Sequence, residues 1–532
     1  MEPISRRRFL AGLVASAAVG TACSGDDSST TSSPSTPGKP GGGTDTTRST
    51  TTAPVPDLPP GLFSLGVASG DPLPDSVILW TRLAPEPLTG GGMPDADVPV
   101  RWEVATDAGF GAVVAGGVTT ATKALGHSVH VDADGLEAGA AYFYRFVVGQ
   151  ERSPVGRTRT APAAGADSDR LRFLFASCQN WKDGYFTSWS HAVEEDVDLV
   201  VFLGDYIYES GKDGGGGARD HNSDEVVTID DYRNRYGLYK GDADLQAAHA
   251  AAPWVTTWDD HEVENNYAAG IAQDPGDGID FVARRAAGYQ AYYEHQPIRV
   301  EPPDGDSLDL YRILDWGGLA RFYVLDGRQY RSDQPCPGGD IVGDCPGRNV
   351  ETATMLGREQ EDWLGTSFAS SKATWNVLAN QVIFTPLPLG GSLYNMDQWD
   401  GYPAARTRLL EQMTAAELAN PVVITGDVHA SGVGDVSTGV AGAPVVATEF
   451  VGTSISSEFT PELIDAAEAL IGGLPQVKWF DARQRGYVVC ELTPDTFTTT
   501  YRAVSSIAEP EADISTLTTW LVKAGTPGAR EA

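Results

Sequence analysis

Five segments of the chain end a short apolar run with residues suited to holding cations. They read Ser177-Cys178-Gln179-Asn180, Gly204-Asp205-Tyr206-Ile207-Tyr208-Glu209, Asp259-Asp260-His261-Glu262, Asn380-Gln381 and Gly426-Asp427-Val428-His429. One Gly-Asp after a strand is ordinarily a turn with a capping aspartate. Several acid- or histidine-bearing ends in one chain point instead to a metal site. A carboxylate such as Asp205, beside a Gly that permits a sharp turn, can offer its two oxygens to two cations. Two cations roughly 3.5–4 Å apart clamp a phosphoryl group and lower the pKa of a bound water towards about 7, so hydroxide is the nucleophile. A serine nucleophile is then unnecessary, and the sequence has no Gly-x-Ser-x-Gly elbow.

The elements that must position these residues are legible from the apolar runs. Strands are predicted over 171–177, 198–204, 252–258, 373–380 and 421–426, with helical stretches between them, including one over 281–292. Near-continuous apolar strands alternating with helices indicate a sheet covered on both faces. A hairpin-like pair, 308–314 with 320–325, makes the sheet mixed. In such folds ligands sit beyond the carboxyl ends of strands, where the polar segments lie. Residues 61–162 have a different rhythm, with short β-like runs at 76–81, 98–104, 127–131 and 141–148 between turns, which reads as a small all-β sandwich. His127 and His130 there are read as structural.

The series of strand ends resembles the calcineurin-like metallophosphoesterases, and Asp205 with Tyr208 resembles the Gly-Asp-x-x-Tyr of purple acid phosphatases. Three departures separate the chain from the purple acid pattern. Asp259-Asp260-His261-Glu262 replaces Gly-Asn-His-Glu, Gly426-Asp427-Val428-His429 replaces Gly-His-x-His, and Cys178 replaces an early aspartate. With these departures, Trp258-Asp-Asp-His-Glu-Val-Glu-Asn-Asn-Tyr267, Phe450-Val-Gly-Thr-Ser-Ile-Ser-Ser457, Gly66-Val-Ala-Ser-Gly-Asp71 and Trp80-Thr-Arg82 are similar to the alkaline phosphatase D (PhoD) family. The likeness runs from Gly61 to near Arg502.

That resemblance implies an α/β fold, an αββα metallophosphoesterase sandwich of mixed sheets over 170–525, preceded by a fibronectin- or Ig-like all-β sandwich over 61–162. It implies a metal-dependent phosphoric ester hydrolase, an alkaline phosphatase or phosphodiesterase, with one iron and one or two calcium ions. A phenolate and a thiolate suit Fe3+, whereas carboxylates and amides suit Ca2+. Cys178, Asp205, Tyr208 and His429 are the iron candidates. Asp205, Asp427 and Asp259 or Asp260 are the calcium candidates, with Asn265 or Gln381, and alignment with the Asn-His pair favours Asp260. His261 is the candidate for stabilising the transition state or protonating the leaving alkoxide. Arg284 and Arg285 are candidates for pairing with a phosphate oxygen; Asp326, Arg328 and Arg331 rank below them. Tyr289, Tyr292 and Tyr293 are read as helix packing. The loop 213–224 is read as a mobile border of the entrance, with His221 as a solvated loop residue.

The chain's N-terminal residues read as an address. Ser5-Arg6-Arg7-Arg8-Phe9-Leu10 precedes an apolar run over 10–19, shorter than the roughly 20 residues that span a bilayer. This is a signal peptide (1–23) of the twin-arginine type, carried folded by the Tat translocase. Gly20-Thr21-Ala22-Cys23 resembles a lipoprotein cleavage site, with Gly20 where a larger aliphatic residue is usual, so Cys23 is a candidate lipid anchor. Residues 24–60 form a Ser/Thr/Pro/Gly linker. The expected location is the cell envelope or exterior, as a monomer acting on a phosphate ester of a small molecule, phospholipid or wall polymer. A net charge of −34 argues against nucleic acid as the main partner. Bound cations would reconcile that charge with an anionic substrate. Cys336 and Cys345 bracket a Pro- and Gly-rich loop and are expected to form a disulfide in an oxidising compartment, and Cys490 reads as a buried apolar residue. Rival readings are a phospholipase D-like or teichoic-acid phosphodiesterase on the same scaffold, and a non-catalytic surface-binding lipoprotein; the full set of candidate ligands argues against the last.

Overall fold

The computed structural model describes residues 58–212, 217–273, 275–276, 278–438 and 443–532. The expected signal peptide, Cys23, most of the expected linker and part of the 213–224 loop lie outside the described residues. No described helix is long and apolar enough to cross a membrane.

Two mixed sheets lie face to face. The larger has ten strands, with a parallel centre of Leu171–Ala176, Leu199–Phe202, Pro253–Thr256 and Val67–Gly70. Beyond Leu171–Ala176 it continues antiparallel through Arg485–Leu492, Thr496–Val504, Ile514–Lys523 and Thr526–Glu531. The second sheet has seven strands around a parallel centre of Ala320–Val324, Trp375–Ala379, Pro421–Thr425 and Ala447–Val451. The central strands are apolar along almost their whole length because each packs on both faces. Between the sheets, Phe173, Phe175, Val201 and Val255 meet Phe322, Val377, Val422, Ile424 and Phe450 in one core. The Phe173 and Phe322 rings cross edge to face at 5.2 Å. Helices Thr187–Glu194, Ile229–Lys240, Ala243–Ala251 and Phe281–His295 cover the outer face of the first sheet. Helices Arg358–Ser370 and Pro403–Ala415 cover that of the second, completing an αββα sandwich.

The β-rich segment before the first central strand also forms two leaves. Val113–Ala121, Val98–Ala105, Ala141–Val148, Glu151–Arg152 and Gly156–Arg159 make one leaf. It packs through Val98, Val100, Tyr144 and Phe146 onto Val67, Val77, Leu79 and Val131 of the other. The second leaf, Val67–Gly70, Val77–Arg82 and Ser128–Ala133, is itself the end of the ten-stranded sheet, joined by the parallel pairing of Ser69 with Pro253 and Gly70 with Trp254. Gly70 is required at this seam, since a Cβ there would lie 2.1 Å from the Pro297 carbonyl oxygen and 2.6 Å from that of Trp254. His127 and His130 are buried or half-buried and bond the carbonyls of Ala96 and Gln296, which is a structural use.

Because the sheet-to-sheet core sets the spacing of the strand ends, Phe322→Ala is expected to cost about 3–5 kcal/mol of stability. Urea unfolding followed by tryptophan fluorescence measures this.

Candidate metal centre

Each group of candidate residues lies just past the carboxyl end of a central strand. Cys178 follows Leu171–Ala176, and Asp205 and Tyr208 follow Leu199–Phe202. Asp259, Asp260 and His261 follow Pro253–Thr256; Gln381 follows Trp375–Ala379; Asp427 and His429 follow Pro421–Thr425. The parallel bridge between Ser177 and Ser454 joins the two sheets at this edge. The turns there are sharp. Cys178, Asp205, Asp427 and His429 all take positive φ, between 54° and 65°, a region costly for non-glycine residues and concentrated at functional sites. Gly204 at φ 115° leaves no room for a side chain, since its Cβ would sit 2.5 Å from Asp259.

Three overlapping sets of ligand atoms result, each lying within 4.8 Å: Cys178 with Asp205 and His429, Asp205 with Asp260 and His261, and Asp259 with Asp260 and Asp427. The Tyr208 phenol joins the first set, 2.8 Å from Asp205 Oδ2 and 3.2 Å from His429 Nε2. Asp205 is shared by the first two sets and Asp260 by the last two. Burial, then Asp205 and Asp427, push the Cys178 thiol well up. Burial also raises Asp259 well above the usual carboxylate range, against the pull of Arg328. A bound cation reverses both effects. His261 belongs to one of the sets, and its Nε2 is buried with no protein hydrogen-bond partner. The mix of thiol, phenol, imidazole and carboxylate therefore fits a harder and a softer cation side by side.

The surrounding residues fix these groups. Glu209 holds His261 Nδ1 with one carboxylate oxygen and accepts the Asn265 amide with the other at 3.0 Å. Burial alone would raise Glu209, but His261 and more distant Arg284 bring it down to about 2. The His261 ring is also stacked 4.1 Å from that of Tyr208. Glu262, fully buried, accepts backbone N–H bonds from Asp205 (3.1 Å), Tyr206 (2.5 Å) and Asp259 (2.9 Å), so one carboxylate ties two ligand turns together. Burial and nearby Asp260 lift its carboxyl to about 7, although those three N–H groups oppose the shift. Arg328, wholly buried, donates from Nε to Asp259 and from both terminal nitrogens to Asp397 at 2.8 Å. Gln398 Nε2 donates to Asp427 Oδ2 at 2.5 Å. Ser457 Oγ lies 2.8 Å from the Tyr208 phenol and 2.9 Å from the Cys178 carbonyl.

Other candidates are placed differently. The Asn265 side chain donates to Gln273. The Gln381 amide nitrogen donates to Thr257 and the Leu325 carbonyl, and its oxygen stands against Gly327. Arg284 is buried against Glu264, Glu225 and the Tyr232 hydroxyl, and Arg285 pairs with Asp306. Asp326 caps the Arg328 turn by accepting the backbone N–H groups of Arg328 and Gln329. Tyr289 and Tyr292 pack in the core under the helix, and Tyr293 lies at its margin. His221 departs from its expected solvated setting: it is 2% exposed, clasped by the Ser210 carbonyl and the Tyr239 hydroxyl, and burial holds its pKa down at about 3. Glu209, Glu262 and Ser457 stood inside the quoted motifs without an assigned role. Asp397 and Gln398 carried no motif signal, because their contribution comes only from tertiary contact.

The comparisons with known proteins agree with one another. Residues 173–501 match the family model described as PhoD-like phosphatase, and residues 50–162 match the PhoD-like phosphatase N-terminal domain. The chain is 48% identical over 481 residues to alkaline phosphatase D of Bacillus subtilis (strain 168), covering 88% of this chain and 82% of the relative. A solved structure of PhoD superposes with a TM-score of 0.84 at 47% identity, covering 88% of this chain and 92% of that one.

Glu262→Ala would leave three buried N–H groups without their acceptor. It is expected to cost about 3 kcal/mol or more, read as a lowered denaturation midpoint in the metal-free protein.

Proposed function

Since the chain belongs to the PhoD-like phosphatase family and is a phosphatase, we propose that it hydrolyses phosphate esters at the acid-rich centre, with Fe3+ on Cys178, Asp205, Tyr208 and His429. Calcium is taken by Asp205, Asp260 and Asp427, while Asp259 serves as the partner of Arg328. The observation that carries this reading is the crowding of buried Cys178, Asp205, Asp259 and Asp260, with half-buried Asp427 beside them, next to the buried guanidinium of Arg328; bound cations would take the place of the protons that burial favours on Cys178 and Asp259. Such cations, when bound, polarise the phosphoryl group and lower the pKa of water.

The protein's own groups complete the chemistry. Glu209 fixes His261 with Nδ1 towards the carboxylate, which leaves Nε2 facing the ligand sets. A proton on Nε2 is then placed to reach a departing alkoxide, with the Glu209 carboxylate holding the ring from behind. Arg284, held by two glutamates, supports Glu209 electrostatically rather than meeting the phosphate itself. The signal peptide and linker suit delivery beyond the cytoplasm through the Tat system, with Cys23 as a lipid tether. A tethered enzyme of this kind acts on esters at the envelope, and monoester and diester substrates compete for the same centre.

The direct experiment is hydrolysis of an aryl phosphate monoester against the matching diester, with calcium present. Asp205→Ala is expected to abolish turnover of both; retained turnover would remove the centre from the mechanism. Faster diester cleavage by the unaltered enzyme would assign it to phospholipid or wall-polymer phosphodiesters, and faster monoester cleavage to phosphate release. His261→Asn should lower kcat by about 100-fold or more on an alkyl ester. The loss should be much smaller on a nitrophenyl ester, whose leaving group needs little protonation; equal losses on both would exclude proton donation. Tyr208→Phe should abolish visible absorption of the iron-loaded protein, and an unchanged spectrum would exclude Tyr208 as a ligand.

A further inference from the structure

The three aspartates of the all-carboxylate set, Asp259, Asp260 and Asp427, are each held by a residue outside the strand-end motifs, and the holders converge on one stapled segment. Asp427 is held by Gln398, and Asp259 by Arg328, whose fork rests on Asp397. Asp260 accepts the backbone N–H of Asn266 at 2.7 Å. Asp397 and Asn266 are thus two hubs. Arg331 also grips Asp397, donating to its carbonyl at 2.8 Å.

The stapled segment reaches both hubs. Gln334 Nε2 lies 2.8 Å from the Asn266 carbonyl and 3.0 Å from Asp397 Oδ1. The Asp340 side chain accepts from Asn266 Nδ2 at 2.8 Å, and its carbonyl accepts the N–H of Met396, beside Asp397, at 2.7 Å. Between Gln334 and Asp340 the chain passes Cys336, which is joined to Cys345 by the disulfide. Within that closed loop, Ile341–Gly343 pairs antiparallel with Leu393–Asn395, which leads directly into Met396 and Asp397. Past the disulfide, Arg348 stacks on Tyr394 at 3.6 Å and donates to the Asp400 carbonyl at 2.6 Å. Neither Cys336 nor Cys345 belongs to any of the hydrophobic cores that support the sheets.

From this we infer that the loop closed by Cys336 and Cys345 is a clasp that positions the acidic half of the metal centre, with Asp340 as its positioning residue. The inference rests on the calcium reading above. A positioning shell of this kind governs how tightly the aspartates hold a cation, while the groups that act on substrate stay unchanged. Because a disulfide forms in an oxidising compartment and not in the cytoplasm, the clasp closes only after export. The calcium side therefore reaches full affinity where calcium is plentiful.

The test uses the full exported chain, the Asp340→Ala variant and the paired Cys336→Ser/Cys345→Ser variant. Calcium is titrated in an ester-hydrolysis assay, and amide hydrogen exchange is followed in peptides containing Asn266 and Met396. In both variants the half-saturating calcium concentration is expected to rise by about tenfold, the low end for loss of a supporting shell. The kcat at saturating calcium should stay within about twofold of the original; exchange at Asn266 should be faster in both variants, and at Met396, whose N–H bonds the Asp340 main-chain carbonyl, in the paired cysteine variant. Unchanged calcium requirement with unchanged exchange overturns the clasp, whatever happens to the melting temperature. If the unaltered protein ignores calcium, the calcium reading falls; faster exchange at Asn266 in both variants and at Met396 in the cysteine variant then still supports the clasp, and unchanged exchange overturns it.

Discussion

The structure is organised around the crowding of ionisable acids where two sheets meet. Asp205, Asp259, Asp260 and Asp427 gather with Cys178 past the strand ends, with Arg328 paired to Asp259 and close to Asp260. Carboxylates removed from water repel one another and lose hydration, and a single guanidinium offsets only part of that cost. The remaining architecture keeps them there regardless. Strained turns hold Cys178, Asp205, Asp427 and His429 in the left-handed region, and Glu262 ties the 205 and 259 turns through three N–H bonds. An arrangement so unfavourable alone becomes favourable when cations bind, so metal affinity and folded stability are two readings of one free energy.

Much of this was legible before the structure. Apolar runs ending in acids, thiol or histidine located the strands and the edge at which they converge, because strand burial and ligand chemistry each leave a local mark. Cys178, Asp205, Tyr208, Asp259, Asp260, Asp427 and His429 do meet there. What the local pattern could not carry was partnership across the chain. Arg284 and Arg285 look like free cations on a helix, but Glu264, Glu225 and Asp306 are brought to them only by folding. His221 sits in a glycine-rich stretch that reads as solvent, yet Arg235 joins Ser223 and Asp224 of that stretch to the carbonyls of Tyr208 and Ser210, and the ring is buried. Asp397 and Gln398 have no periodicity or motif around them; their importance lies in 29- to 69-residue separations from their partners.

Net charge also takes a different meaning once the centre is seen. At −34 the chain should repel the anions it hydrolyses. Screening at physiological ionic strength confines that repulsion to about 8 Å, however, and cations at the proposed centre would present the opposite sign within the site itself. Selectivity for a phosphoryl group would then come from the proposed centre rather than from the net charge of the surface.

The N-terminal leaf is part of this machinery rather than an attachment to it. Pro253–Thr256 carries Asp259, Asp260 and His261 at its end, and within the parallel centre its neighbours are Leu199–Phe202 and Val67–Gly70. Without Val67–Gly70 it would be an edge strand, with one row of backbone groups unpaired and one side free to twist. Asp71, at the end of Val67–Gly70, is held by Arg312 and accepts the Arg299 N–H, which fastens the leaf to both neighbouring segments. Trp80 adds a bond from its indole N–H to the Glu294 carbonyl, at the end of the helix that packs over the strand. A strand that must hold two adjacent aspartates against their mutual repulsion is thereby made an interior one, and the β-sandwich supplies the rigidity that the metal centre consumes.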